Sequence, residues 1–373
     1  MSGNFFHGEI PASLGEMESL TYLDLSNNHL SGSIPTSFSQ LQHLSYVYLN
    51  NNRLRGRLAH NFLINSSIVV VDLRDNSFSG IIPSWIGNLS SLGVLLLRAN
   101  EFHGEIPITL CNLTQLSFLD LSSNNLSGHL PPCLSHLNFE ARENNTLVHH
   151  FPSQWDEVVE FMVKSSSLNY SGMILNYMFG IDLSCNNFSG EIPLEFGNLS
   201  NIKSLNLSHN NLTGQIPITF ANLKQIESLD LSYNYLIGLV PPQLTELNSI
   251  EVFSVAHNNL SGPLPDRKGQ FITFDESCYE GNPFLCGLPL TKSCKEIVSA
   301  LPSPNAFLGE DVDDGFMDNN VFYVSFVVSY IMVLLGIAAV LYINPYWRRA
   351  WFYRIEECIT ACYYFMEDNF WSV

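Results

Sequence analysis

Apolar residues recur along this chain in one fixed order. In Ser19–Pro35, SLTYLDLSNNHLSGSIP, Leu20, Leu23 and Leu25 line a short stretch, a polar turn follows, and Leu30 and Ile34 return. Alternation at period two predicts a strand with its leucines inward and Tyr22, Asp24 and Ser26 outward. Asn28 sits where the chain turns, and its amide is expected to hydrogen-bond the backbone of a neighbouring coil. Gly32 permits a bend, and Pro35 stands where no ladder N–H is needed. The apolar-Pro step falls at Ile10, Ile34, Ile82, Ile106 and Leu130, with a degenerate copy at Leu58, every 24 residues. It resumes at Ile192, Ile216, Val240 and Leu264 with the same spacing. One such coil cannot bury its own apolar face, so the pattern predicts stacked coils, a solenoid with a long concave surface. Strands are expected near 21–26, 45–50, 69–74, 93–98, 117–122, 179–184, 203–208, 227–232 and 251–256.

Between Leu130 and Ile192 lie 62 residues where one coil takes 24, so about 38 are extra, roughly from Asn138 to Tyr177. A non-repeat insertion of that length points to function rather than to a passive connection. His149 and His150 lie in it, but no third ligand follows at metal-binding spacing, and no metal or cofactor is expected. Outward positions before the insertion depart from the usual Asp-Leu-Ser. Tyr46, Tyr48, Asn50, Val69, Val70, Arg74, Leu96 and Arg98 stand there, all but the amide Asn50 aromatic, apolar or basic, as recognition surfaces are. Ordinary drift of the repeat is the competing explanation.

The formal net charge is −19. Residues 301–320 carry five acids and no base, and 344–373 three arginines against four acids, which leaves −13 on 1–300. That balance excludes a nucleic-acid partner, whose phosphates require Lys and Arg. Eleven N-x-S/T sequons stand at Asn65, Asn88, Asn112, Asn125, Asn144, Asn169, Asn187, Asn198, Asn206, Asn211 and Asn259. Their density fits a secretory-pathway domain, although an Asn/Leu/Ser-rich repeat creates such triplets by itself. Cys111 and Cys133 fall in adjacent coils near enough for a disulfide. Cys278, Cys286 and Cys294 follow the last coil, with Cys286–Cys294 the preferred pair; Cys185 and Cys278 have no evident partner. Val321–Ile343 is 23 residues without a charge, the length of a transmembrane α-helix. Arg348, Arg349 and Arg354 after it place the C-terminus in the cytosol. No nucleophile–base constellation stands out, and the 30-residue tail holds no kinase motif, so the chain is not expected to be an enzyme.

The 24-residue L-x-G-x-I-P leucine-rich repeat, the insertion before four last coils, the G-N-P-F-L-C-G-L-P-L stretch, the acidic run, one apolar segment and a short tail together resemble plant leucine-rich-repeat receptor-like proteins, the kinase-less relatives of receptor kinases. The expected fold is an α/β-type solenoid, a plant-type leucine-rich-repeat horseshoe or superhelix, followed by one transmembrane helix. Its parts are repeats over 1–137, an island over 138–177, four repeats over 178–265 and a cysteine-bearing cap over 266–297. An acidic juxtamembrane linker over 298–320, a membrane helix over 321–343 and a cytosolic tail over 344–373 complete it. Residues 1–11 align with the second half of a repeat, and no signal peptide precedes them, which reads as the C-terminal part of a longer protein.

The resemblance implies a single-pass plasma-membrane receptor for a peptide or protein ligand, in defence or development. Tyr46, Tyr48, Asn50, Arg74, Leu96 and Arg98 would contact the ligand. An adaptor receptor-like kinase would be held through the membrane helix and juxtamembrane acids. A co-receptor kinase would meet the island and last coils at Lys164, Tyr170, Lys203, Ser204, His209, Glu227, Ser228 and Tyr233. Lys164 and Tyr170 match the K-x5-Y spacing of family islands. The alternatives are a truncated, non-signalling fragment and an inhibitor-type binder of secreted pathogen enzymes.

Overall fold

The computed structural model describes residues 1–59, 67–137, 158–163, 166–171 and 178–294, with Phe161 the one side chain described between 158 and 171. Each coil opens on a three-residue strand. Tyr22–Asp24, Tyr46–Tyr48, Val70–Asp72, Val94–Leu96, Phe118–Asp120, Gly180–Asp182, Ser204–Asn206, Ser228–Asp230 and Val252–Ser254 pair in parallel and in chain order as one inner sheet. The middle residue of each strand points into the core: Leu23, Val47, Val71, Leu95, Leu119, Ile181, Leu205, Leu229 and Phe253 are all buried there.

The strands stop after three residues because the chain leaves the sheet at a left-handed residue. Asn27, Asn51, Asp75, Ala99, Ser123, Cys185, His209, Tyr233 and His257 all hold φ between 52 and 54°. The next residue is always asparagine, and its amide satisfies the turn. Asn210 Nδ2 donates to the carbonyls of Leu207, Ser208 and, one coil back, Leu183 at 3.0–3.2 Å, and its Oδ1 accepts from Phe188 N at 3.0 Å. The same set recurs from Asn52 to Asn282. Backbone groups inside the turn are thereby paired without water.

A second strand follows each turn. His7–Glu9, His29–Gly32, Arg53–Gly56, Ser77–Gly80, Glu101–Gly104, Asn125–His129, Asn187–Glu191 and Asn211–Thr213 make a flank sheet of eight parallel strands. Ile237–Gly238, Asn259–Pro263 and Phe284–Cys286 continue it as three more. The Pro of each apolar-Pro step but the last, at Leu264, then opens a five-residue 3₁₀ turn on the convex side. Its third residue fills the core: Phe38, Ile86, Leu110, Leu134, Phe196, Phe220 and Leu244. Among the described residues this convex layer is 3₁₀ and not α-helical, so the expected α/β-type solenoid is corrected to a parallel β-solenoid.

The solenoid continues in register across the insertion. Phe118–Asp120 pairs directly with Gly180–Asp182, and Asn186 Nδ2 reaches Leu121 O at 2.9 Å. Within the insertion, Val158–Val163 and Ser166–Ser171 form an antiparallel hairpin. At the C-terminal end Phe253, Phe271, Phe274 and Tyr279 pack ring against ring and close the core. Cys111–Cys133 and Cys286–Cys294 are disulfides with Cα separations of 5.7 and 5.0 Å, and Cys185 and Cys278 are free thiols.

The expected membrane span is also corrected. Among the described residues no helix is long and apolar enough to cross a membrane. The helical turns run to five residues, where a span needs about 20. Val321–Ile343, with the linker and tail around it, lies outside the described residues. With the span goes the expected single-pass, membrane-embedded placement, and with it the adaptor kinase held through a membrane helix and juxtamembrane acids.

Candidate binding surface

Strand register sets the outward residues of the inner sheet in rows. The first row runs Tyr22, Tyr46, Val70, Val94, Phe118, Gly180, Ser204, Ser228, Val252. The second runs Asp24, Tyr48, Asp72, Leu96, Asp120, Asp182, Asn206, Asp230, Ser254 by the same pairings. Before the insertion the rows are largely apolar and after it they are polar. The apolar part is not open to solvent. Tyr48, Val69, Val70, Val94, Leu96, Phe118, Phe161 and Met178 form a second apolar cluster outside the solenoid core, with Tyr22 and Tyr46 against it. Phe161, from the island hairpin, lies 5.0 Å from the ring of Phe118. It fits because its other neighbour is Gly180, where any Cβ would overlap the ring.

The aspartates of the second row cap their own turns. Asp120 Oδ1 accepts from Ser122 N and Oγ at 3.0 and 2.6 Å. Asp182 Oδ1 accepts from Ser184 N at 2.9 Å, and its Oδ2 accepts from Asn206 Nδ2 at 3.2 Å. Both carboxyls are buried and face each other across adjacent strands. Burial pushes both above the usual carboxylate range. Asp182, which also feels the charge of Asp120, rises to about 7. Asp72 is raised by burial as well, while Arg74 opposes the shift through a bidentate pair at 2.8–2.9 Å.

After the insertion the rim of the inner sheet carries a stack of rings. His209, Tyr233 and His257 occupy the left-handed position of consecutive coils, with centroids 4.1 and 4.2 Å apart and interplanar angles of 11 and 20°. The same φ at the same place in each coil sets the rings face to face and nearly parallel, and Tyr233 remains 46% exposed. His257 Nε2 lies 3.5 Å from Glu280. At the other end of the same strands, Lys203 pairs with Glu227 at 3.2 Å and donates to Gln225 at 3.1 Å. Among the described residues no cluster of three or more metal-ligating side chains occurs.

A family model described as "Leucine rich repeat" matches residues 3–54, 66–126, 180–236 and 200–260, more than half of the chain. The chain belongs to the leucine-rich-repeat family. Over 211 residues, 57% of this leucine-rich-repeat chain and 19% of the relative, it is 64% identical to "Cuscuta receptor 1" of Solanum lycopersicum. It is 56% identical to "Receptor-like protein 1" of Arabidopsis thaliana over 60% of this chain and 21% of that one. The matched part thus spans about a fifth of the length of these curated relatives. Among solved structures, the Arabidopsis receptor kinase HAESA in complex with the peptide hormone IDA and the co-receptor SERK1 superposes with a TM-score of 0.62 at 30% identity. That match covers 78% of this chain and 42% of HAESA. The described residues are a leucine-rich-repeat domain of the kind found in receptor ectodomains, a repeat scaffold and not a catalytic domain.

The repeat structure places the sequence-derived candidates unevenly. Of the six proposed ligand contacts, Tyr48, Asn50, Arg74 and Leu96 are buried, Leu96 to 1% exposure. Tyr46 and Arg98 are half-buried, Arg98 facing Asp75 at 3.3 Å. Of the second set, Ser204 and Ser228 are buried, Lys203 and Glu227 half-buried, His209 and Tyr233 exposed. Tyr170 lies in the hairpin as the backbone partner of Val159, and Lys164 is outside the described residues. Among the sequons, Asn88, Asn112, Asn125, Asn187, Asn198, Asn211 and Asn259 are exposed, and Asn206 is half-buried on the inner sheet. Asn65 and Asn144 lie outside the described residues, and Asn169 lies in the hairpin. Sequence reasoning missed His257 and the stack it completes. Its signal was the fixed place of His209, Tyr233 and His257 one residue before the turn asparagine.

Proposed function

We propose that this chain is the extracellular part of a plant receptor-like protein that binds a peptide or protein ligand and engages a co-receptor kinase through its last four coils. The observation that carries the reading is the contrast between the two halves of the inner sheet. Outward positions before the insertion are filled by the protein's own apolar cluster with Phe161, whereas the sheet after it presents the His209–Tyr233–His257 stack at one edge and the Lys203–Glu227 pair at the other. Exposed aromatics and charged side chains held on a rigid sheet are what a folded protein partner uses as anchors. The HAESA complex supports the assignment, since a related solenoid there holds a peptide hormone and a co-receptor together. Tyr46, packed against the buried cluster, and half-buried Arg98, paired with Asp75, are the remaining ligand-contact candidates. The proposed parts are repeats over 1–137 and 178–265 around an island over 138–177, with the cap over 266–297.

The test is binding of recombinant co-receptor kinase ectodomains to the full chain, with an apoplastic peptide fraction as ligand source. Tyr233→Ala combined with Lys203→Glu is expected to weaken ligand-dependent binding about tenfold or more, a hot-spot loss of roughly 1.4 kcal/mol or above. Undiminished binding by that double variant overturns the reading.

A further inference from the structure

The sequons of this chain fall on different faces, and the faces are not chemically alike. Asn206 lies on the inner sheet with its amide engaged: Nδ2 donates to Asp182 Oδ2 at 3.2 Å, and Oδ1 accepts from Ser208 N and Oγ at 3.1 and 2.8 Å. Asn211 and Asn259 each open a flank strand and are exposed. Between their two coils the outward face of the chain reads Tyr235, Ile237, Leu239, exposed to 61, 46 and 51%. Other coils place polar residues on this face, such as Asn187 with Ser189, Asn211 with Thr213 and Asn259 with Ser261. Ile237 is the register partner of Asn259, and Tyr235 N donates to Leu212 O, next to Asn211, at 2.8 Å. Exposed Leu194 and Ile218 extend the apolar surface along a groove of about 730 Å³. A contiguous apolar patch of this kind marks a surface meant to be covered. Here it is bracketed on both sides by glycan acceptors one coil away.

We propose that Asn211 and Asn259 carry N-linked oligosaccharides whose innermost N-acetylglucosamines lie over Tyr235 and Ile237, and that Asn206 is left unmodified. The modification joins Nδ2 to C1 of a sugar carried on a polyprenyl diphosphate. The C1–O bond to the diphosphate breaks, the diphosphate leaves with the electron pair, and Nδ2 gives up one proton. The C–H face of the first pyranose then covers the phenol ring and the Ile237 methyls, while its hydroxyls face water. The same group on Asn206 would stand on the inner sheet between Asp182 and Asp230. It would pull the amide from the buried Asp182 carboxyl and leave that acceptor without its partner, so folded protein lacks it. This inference rests on the extracellular reading above.

The test is made on the full chain secreted by a plant host. Enzymatic deglycosylation in ¹⁸O-water converts each occupied asparagine to labelled aspartate, which peptide mass spectrometry reads. Label is expected at Asn211 and Asn259 and not at Asn206; exposed Asn88 and Asn112 report that the chain met the glycosylating compartment at all. Label at Asn88 or Asn112 with none at Asn211 and Asn259 overturns this inference alone, as does label at Asn206. No label at any sequon overturns the extracellular reading as well. Sugar removal from the secreted native protein is expected to raise binding of a hydrophobic dye and to lower the melting temperature by about 2–4 °C. Both effects are expected to vanish in Tyr235→Ser combined with Ile237→Ser. Equal effects in that variant would overturn the contact.

Discussion

Asp120 and Asp182 show what a strict repeat does when two of its polar caps are buried side by side. In the coils at Asp24 and Asp230 the same carboxyl is half-exposed. At the insertion, Asp120 and Asp182 are register partners at 1 and 2% exposure, and Asp120 Oδ2 is buried without a hydrogen-bond partner among the described residues. Two buried like charges cannot both ionise cheaply, and Asp182 is held neutral up to about 7. A carboxyl protonated in the folded chain and ionised in the unfolded one takes up a proton on folding. Its stabilising contribution is therefore complete below the ordinary aspartate pKa of 3.8 and is lost as pH rises toward 7. Asp182→Asn keeps the shape and removes the titration, and Asn206 already fills this place one coil later. Melting temperatures of the variant are expected to vary less between pH 4 and 7 than those of the parent, and to exceed them above pH 7. A variant with the parent's full pH slope would exclude this origin. None of this was legible in the sequence, where Asp-Leu-Ser looks alike at Asp120 and Asp230. Burial of one and not the other is decided by what returns over it in space.

The inner strands and turn asparagines were legible, because each is fixed by spacing within one coil and repeated many times; the flank strands, which follow the turns, were not expected. The left-handed position was not, since Asn27, Asp75, Ala99, Cys185, His209 and Tyr233 share a conformation without sharing a chemistry. Nor was the fate of Leu96 and Val70, which face outward from their strands and yet are buried with Phe161. One residue did carry a readable sign. Gly180 stands in a strand where the flanking coils hold Phe118 and Ser204, and a strand glycine marks close approach of another group. Here that group is Phe161. Gly180→Val is expected to expel the ring and free the hairpin, without touching the solenoid core. Hydrogen exchange at the Val158–Val163 amides should rise about tenfold or more, with the Leu119 and Ile181 amides unchanged. Phe161→Ala, which gives up roughly 3–5 kcal/mol of buried ring, should reproduce that pattern, and the two changes together should add little more. Unaltered hairpin exchange in both variants would separate Phe161 from the island's attachment.

At the scale of the whole solenoid, stability resides in the interfaces between neighbouring coils, so cooperativity passes along it one coil at a time. Every interface but one joins coils 24 residues apart. At the insertion the turn asparagines Asn124 and Asn186 are 62 apart, and a longer closed loop costs more entropy. The two halves meet there through the pairing of Phe118–Asp120 with Gly180–Asp182, through that of Asn125–His129 with Asn187–Glu191, and through Asn186. Asn186 Nδ2 donates to Leu121 O at 2.9 Å and to Ser184 O at 3.0 Å, and its Oδ1 accepts from Leu126 N at 2.9 Å. Asn186→Ala leaves those buried backbone groups unpaired, at a cost of about 1–3 kcal/mol each. Asn258→Ala removes an equivalent set inside the last coils, from Leu231 O, Val255 O and Leu236 N. The chemical loss is alike, but only the first falls on the interface that the insertion has already weakened. Calorimetry is expected to show two resolved transitions for Asn186→Ala, as the halves melt apart, and one lowered transition for Asn258→Ala. A single transition in both would mean that the strand pairing alone binds the halves into one unit, with the insertion no hinge in its stability.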